Sequence, residues 1–132
     1  MHDGPVDPAD GRRWWFATPP LDAARLRAFS ALVNDPNPVH VDAEFARGLG
    51  LPDAIAQGGL VVSALSRMFD GERITESDVT LLAPVPVGTT VICEGSSTGT
   101  TADGRTEVAC VVRDAQETQF ARAVVVVSAQ SG

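Results

Sequence analysis

Hydrophobic and polar residues change rhythm along the chain, and each rhythm predicts an element. Over residues 21–33 apolar side chains recur at helical spacing. Leu26, Phe29, Leu32 and Val33 form one stripe, with Asp22, Arg25 and Arg27 mostly off it. Thr18-Pro19 ahead of them reads as an N-cap followed by proline in the first turn. A short helix over 43–47 follows, capped by Asp42 and closed by Gly48 and Gly50. A third helical run, 60–69, opens at Gly58-Gly59 and closes at Asp70-Gly71. It is apolar nearly all round, and such a helix is buried on most sides. In one small domain something must then wrap around it.

Strands supply the wrapper. Residues 74–83, 89–100, 105–113 and 118–128 carry strand patterns, with Val85-Pro86-Val87-Gly88 between the first two. Asp103-Gly104 is a hairpin signal, and 114–117 is a second turn. The run Val124 to Val127 is unbroken valine, as in a strand buried on both faces. Residues 12–18, with Trp14, Trp15 and Phe16, suit a further short strand. The two tryptophans suit a pocket, an interface or the core alike. The expectation is an α+β domain over 12–132, an antiparallel sheet curled around one helix, preceded by a loose polar arm over 1–11.

One segment has chemistry as well as pattern: Asn34-Asp35-Pro36-Asn37-Pro38-Val39-His40. Pro36 and Pro38 fix their own φ and push Asp35 and Asn37 out of helical backbone, so the first helix stops here. A stiff overhang can hold a carboxylate and an imidazole in one fixed relation, as acid–base catalysis needs. An ordinary helix-stopping turn has the same composition, and on local signal alone that plainer reading is the stronger.

Composition narrows the function. The net charge is −7, and all ten basic residues are arginine. An acidic chain without a basic tract is a poor nucleic-acid binder. No apolar run is long enough for a membrane span, and the first residues lack the blocks of a signal peptide, so the expected setting is cytoplasmic. Two cysteines, Cys93 and Cys110, are too few for a disulfide framework and read as small buried residues. With two histidines and no CxxC, no metal constellation of usual spacing is visible, and no glycine-rich phosphate loop appears.

The stretch from Phe29 to Asp42 resembles the signature of MaoC-like dehydratases, the (R)-specific enoyl-CoA hydratases: an aromatic residue, small residues, then Asp-x-Asn-Pro-apolar-His-x-Asp. Ala54 to Leu60 with Ser63, and Pro84 to Thr89, resemble the family's second and third blocks in the right order. The resemblance runs from about Phe16 to Ser128. It implies a hot-dog fold, usually dimeric, and a homodimer is expected. It implies reversible syn hydration of 2-enoyl thioesters by Asp35 and His40, with an oxyanion site at Gly58 and Gly59 second. By the same resemblance Ser63 supports the catalytic acid. A serine bonding back to its own helix is an equal alternative for it. Asn37 is expected to hold the turn's shape. No separate cofactor is implied; CoA or the phosphopantetheine of an acyl-carrier protein enters as part of the substrate. Two departures stand out. Gln57 replaces a frequent histidine, and Asn34 replaces a frequent glycine. The competing expectations are a hot-dog thioesterase, which residues 60–69 disfavour by lacking Asp and Glu, and a non-catalytic partner subunit.

Overall fold

The computed structural model describes residues 11–129. The loose arm expected over 1–11 lies outside them except for Gly11. Five strands form one antiparallel sheet: β1 (Arg13–Ala17), β2 (Glu72–Leu81), β3 (Ile92–Thr100), β4 (Thr106–Arg113) and β5 (Gln119–Ala129), in the order β1-β3-β4-β5-β2. Between β1 and β2 the chain forms α1 (Ala23–Val33), a single 3-10 turn (Pro38–His40), α2 (Ala43–Gly48) and α3 (Gly58–Arg67). Both predicted turns are present. Gly104 takes a left-handed φ of 86°, and Asp114 Oδ1 accepts the N–H groups of Gln116 and Thr118.

The core explains why the sheet and α3 belong together. Val108, Cys110 and Val112 of β4 alternate inward and meet Ala121, Ala123, Val125 and Val127 of β5. Val61, Ala64 and Leu65 of α3, with Met68 and Phe69 just beyond it, pack onto that face. Each such side chain taken out of water contributes roughly 1.5–3 kcal/mol. Gly95 on β3 sets the distance of approach, because a Cβ there would lie 2.9 Å from Val108 Cγ1 and 3.2 Å from Met68 Cε. The valine run is buried on both faces only in part: Val126, which points away from the core cluster, is as hidden as Val125 and Val127, but Val124 on its face is half-buried. This is the hot-dog arrangement, a sheet wrapped on one helix.

Three expectations need correction. α1 begins at Ala23 rather than Leu21, and its cap is Asp22, which accepts the Arg25 N–H at 2.9 Å, not Thr18. Residues Thr18 to Leu21 run beside the approach to β3 instead: Thr18 N–H bonds Val91 O, and Leu21 N–H bonds Thr89 O. Backbone pairing outweighed the Thr-Pro helix-start signal. The α1 stripe is buried only at Leu26 and partly at Phe29; Leu32 is 81% exposed and Val33 is exposed too. Finally, α3 spans Gly58–Arg67 and hides one side only, leaving Gly59, Val62, Ser63 and Ser66 exposed. Pattern alone cannot separate a helix enclosed by its own sheet from one whose far side stays open.

Candidate active site

The site starts with the way α1 ends. Asn34 takes left-handed backbone (φ 54°, ψ 47°), a conformation that glycine and, among side-chain residues, asparagine adopt most readily. Asp35 N–H then bonds Ser30 O at 2.9 Å and anchors the departing chain to the last turn of the helix. Two side-chain turns follow. Asp35 Oδ1 accepts the Asn37 N–H at 3.0 Å, and Asn37 Oδ1 accepts the Val39 N–H at 3.1 Å, capping the 3-10 turn. With Pro36 and Pro38 between them, these bonds leave the segment little freedom. Its product is a close pair: Asp35 Oδ2 lies 3.3 Å from His40 Nε2. The imidazole side chain is 11% exposed and the carboxylate 33%.

The other ring nitrogen decides the tautomer. His40 Nδ1 lies 2.9 Å from Ile55 O. A carbonyl only accepts, so Nδ1 carries hydrogen and a neutral ring presents a bare Nε2 lone pair to Asp35. Nε2 is then the ring atom left to exchange a proton with a bound group. Ile55 is itself fixed. Its N–H bonds Val39 O, and its neighbours pair with the loop after β2, Ala56 N–H to Val85 O and Val87 N–H to Ala54 O, both at 2.8 Å. Three separated sequence blocks thus meet at one place.

They enclose a cleft of about 350 Å³, with His40, Ile55, Gly58 and Val61 on one side and Leu81 to Val85 with Phe120 on the other. The start of α3 opens into it. Gln57 is the N-cap residue of α3 but makes no side-chain cap, so among the described residues the Gly58 and Gly59 N–H groups keep no acceptor. Two free amides at a helix N-terminus suit an oxygen that gains negative charge.

His40 and Gly58 therefore line one cleft, and Asp35, which is not among the lining residues, is joined to it through His40. Gly59 does not line the cleft; its place is under α1, where a Cβ would lie 3.3 Å from Phe29 Cζ. Asn37 shapes the turn. Ser63 is exposed on α3, and among the described residues no hydrogen bond joins it to Asp35. Trp14 packs on Phe69 and donates Nε1–H to Glu72 at 2.7 Å, while Trp15 is 63% exposed; neither lines the cleft. Sequence reasoning missed two parts. The Ile55 carbonyl is a backbone group that no side-chain pattern announces. Gln57 was visible only as a departure from the family's usual residue. No cluster of three or more potential metal ligands is present among the described residues, and no described helix is long and apolar enough to cross a membrane.

A family model described as "MaoC like domain" matches residues 9–120. The mitochondrial 3-hydroxyacyl-(acyl-carrier-protein) dehydratase FERN of Solanum lycopersicum is 34% identical over 70 residues, a match that spans 50% of this chain and 42% of that protein. Among solved structures, the (R)-hydratase of A. caviae involved in PHA biosynthesis superposes with a TM-score of 0.82 at 23% identity, covering 98% of this chain and all of the other. The R-hydratase PhaJ1 of Pseudomonas aeruginosa gives 0.81 at 21%, covering 92% and 82%. At these identities the structural likeness is one of fold.

Proposed function

The chain belongs to the MaoC-like domain family, and from that premise we propose that it is a hydro-lyase that adds water reversibly to 2-enoyl thioesters. In the reverse direction it removes water from (R)-3-hydroxyacyl thioesters. The observation that carries this reading is the Asp35–His40 contact at 3.3 Å, with His40 lining the same cleft as Gly58 at the uncapped start of α3. Water held by the two side chains loses a proton to them as its oxygen bonds the β-carbon. The carbon–carbon π pair moves to the α-carbon and thioester oxygen, and the α-carbon takes a proton back on the same face. One proton leaves the water and one reaches carbon, so the pair ends as it began. The Gly58 amide, with the dipole of α3 behind it, meets the oxygen that carries the transient enolate charge. The reaction asks for no separate cofactor. The carrier, CoA or phosphopantetheine, belongs to the substrate, and the apolar cleft walls Val61, Leu81 and Phe120 suit an acyl chain.

A second copy of the chain completes the proposal. β2 is a ten-residue edge strand with Leu81 and Leu82 exposed at its end, an edge that invites pairing. We expect a homodimer by light scattering.

The test is loss of enoyl-thioester absorbance with short and medium acyl chains on both carriers. The wild type should give an (R)-3-hydroxy product with no free thiol. Asp35→Asn keeps an oxygen for the Asn37 N–H but loses the base, so its rate should fall about 10²–10⁴-fold. A fully active Asp35→Asn protein refutes the assignment.

A further inference from the structure

Gln57 is a buried polar residue that the proposed chemistry does not use. It is 3% exposed, and its side chain turns away from the helix it begins. Its Nε2 donates to Leu26 O at 2.8 Å and to Ser30 Oγ at 2.7 Å, both on α1. The orientation of the amide follows from chemistry, since Leu26 O can only accept and must face the NH₂. Both Nε2 hydrogens are thereby used, while Oε1 is buried without a partner among the described residues. A buried carbonyl left unpaired is destabilising, so the arrangement is held by the two bonds of Nε2. Ser30 is also the residue whose carbonyl holds the Asp35 N–H. A continuous path therefore runs from the Gly58 peptide through the Gln57 side chain to the last turn of α1, and from there to the catalytic carboxylate.

We propose that Gln57 is a positioning residue that fixes the spacing between the Asp35–His40 pair and the Gly58 amide by clamping the end of α1 to the start of α3. The same rotamer leaves α3 uncapped. An Asn, Asp, Ser or Thr here would reach its own helix start and compete for the N–H groups that the reaction needs. Gln is one methylene longer than Asn, crosses to the neighbouring helix instead, and leaves those donors to the substrate oxygen. This inference rests on the hydratase reading for its kinetic consequence, but the clamp itself is a geometric statement that can be read without turnover.

The experiment compares wild type, Gln57→Leu and Ser30→Ala. Gln57→Leu keeps volume and removes both bonds; Ser30→Ala removes one. With a 2-enoyl-CoA that the wild type hydrates, kcat should fall about 10–100-fold in Gln57→Leu, with a smaller fall in Ser30→Ala, as expected for catalytic groups displaced by a fraction of an ångström. KM should change by less than about threefold, since neither side chain lines the cleft. A residue that only stabilises the fold would lower the melting temperature and leave kcat per folded molecule unchanged. The second readout is the His40 imidazole resonance, one of only two histidine signals in the protein. It should shift in both variants. Should Gln57→Leu not fold, Ser30→Ala decides by the same two readings. Wild-type kcat together with an unmoved His40 signal overturns the proposal. An inactive wild type whose His40 signal still responds to Ser30→Ala would reject the hydratase reading and keep the clamp.

Discussion

Two aspartate-centred turns in this chain use the same side chain to opposite ends. At the β3–β4 hairpin, Asp103 accepts from Thr101 Oγ1 and from Arg105 Nε, the latter at 3.0 Å to each carboxylate oxygen. Arg105 reaches on to Thr75 and Glu76 of β2, so the cluster ties the hairpin to the far edge of the sheet. At the end of α1, Asp35 gives one oxygen to the Asn37 N–H and turns the other to an imidazole at 3.3 Å. The difference lies in the partner. A guanidinium never gives up its proton near neutral pH, and it holds its carboxylate ionised. An imidazole as a class can take or release one near neutral pH, which is the property the proposed chemistry uses. A turn becomes a candidate site when its carboxylate is only half committed to structure and its other half faces a group that titrates.

Exchanging each aspartate for asparagine separates the two most widely. Asp35→Asn should lower the hydration rate by the 10²–10⁴-fold given above while thermal unfolding stays within a few degrees of wild type, because the Asn side chain still accepts from Asn37 N–H. Asp103→Asn should leave kcat and KM unchanged. Equal losses of activity in both proteins would erase the distinction.

The next effect is smaller and lies in the backbone. Each turn has one left-handed residue, Asn34 at φ 54° and Gly104 at φ 86°. Alanine costs about 1–2 kcal/mol in that conformation. Asn34→Ala and Gly104→Ala should therefore both lower the urea midpoint by comparable amounts, and Asn34→Gly should be nearly neutral. Only Asn34→Ala should also slow hydration, since Asn34 leads directly into Asp35. A hydration rate per folded molecule equal to wild type would show that the turn holds its geometry without it.

Much of this was legible from residue order, and the rest fails for identifiable reasons. Proline, asparagine and aspartate write their backbone preferences locally, so the overhang, both hairpin turns and the Asp42 cap of α2 were readable. β4 and β5 were readable from their valines, and β2 and β3 from the turn signals that bound them. The start of α1 was not, because whether Thr18 caps a helix or pairs with Val91 depends on a strand some seventy residues away. The exposed face of α1 was not, because Leu32 and Val33 look the same in sequence whether or not anything covers them. At the candidate site, Asp35, His40 and Gly58 were singled out by resemblance alone, whereas the Ile55 carbonyl that sets the His40 tautomer has no signature outside the fold.

The smallest effect tests the structural turn by itself. The bond from Thr101, then those from Arg105, pull the Asp103 carboxyl from its ordinary 3.8 down to about 2. The folded protein thus keeps this carboxylate ionised where the unfolded chain would protonate it. Between pH 4 and pH 2 the unfolded state binds the extra proton, so stability falls as pH falls, and the contribution is complete above pH 4. Asp103 is 61% exposed, which screens the interaction and keeps its share small. The measurement is the urea midpoint of wild type and Asp103→Asn at pH 5 and at pH 2.5, in low and in high salt. The gap between the two proteins should be widest at pH 5, narrow at pH 2.5, and shrink at pH 5 when salt is added. A gap that ignored both pH and salt would mean that Asp103 holds the hairpin through its shape and hydrogen bonds alone. The contrast with Asp35 would then rest on the imidazole and not on what the arginine does to its carboxylate.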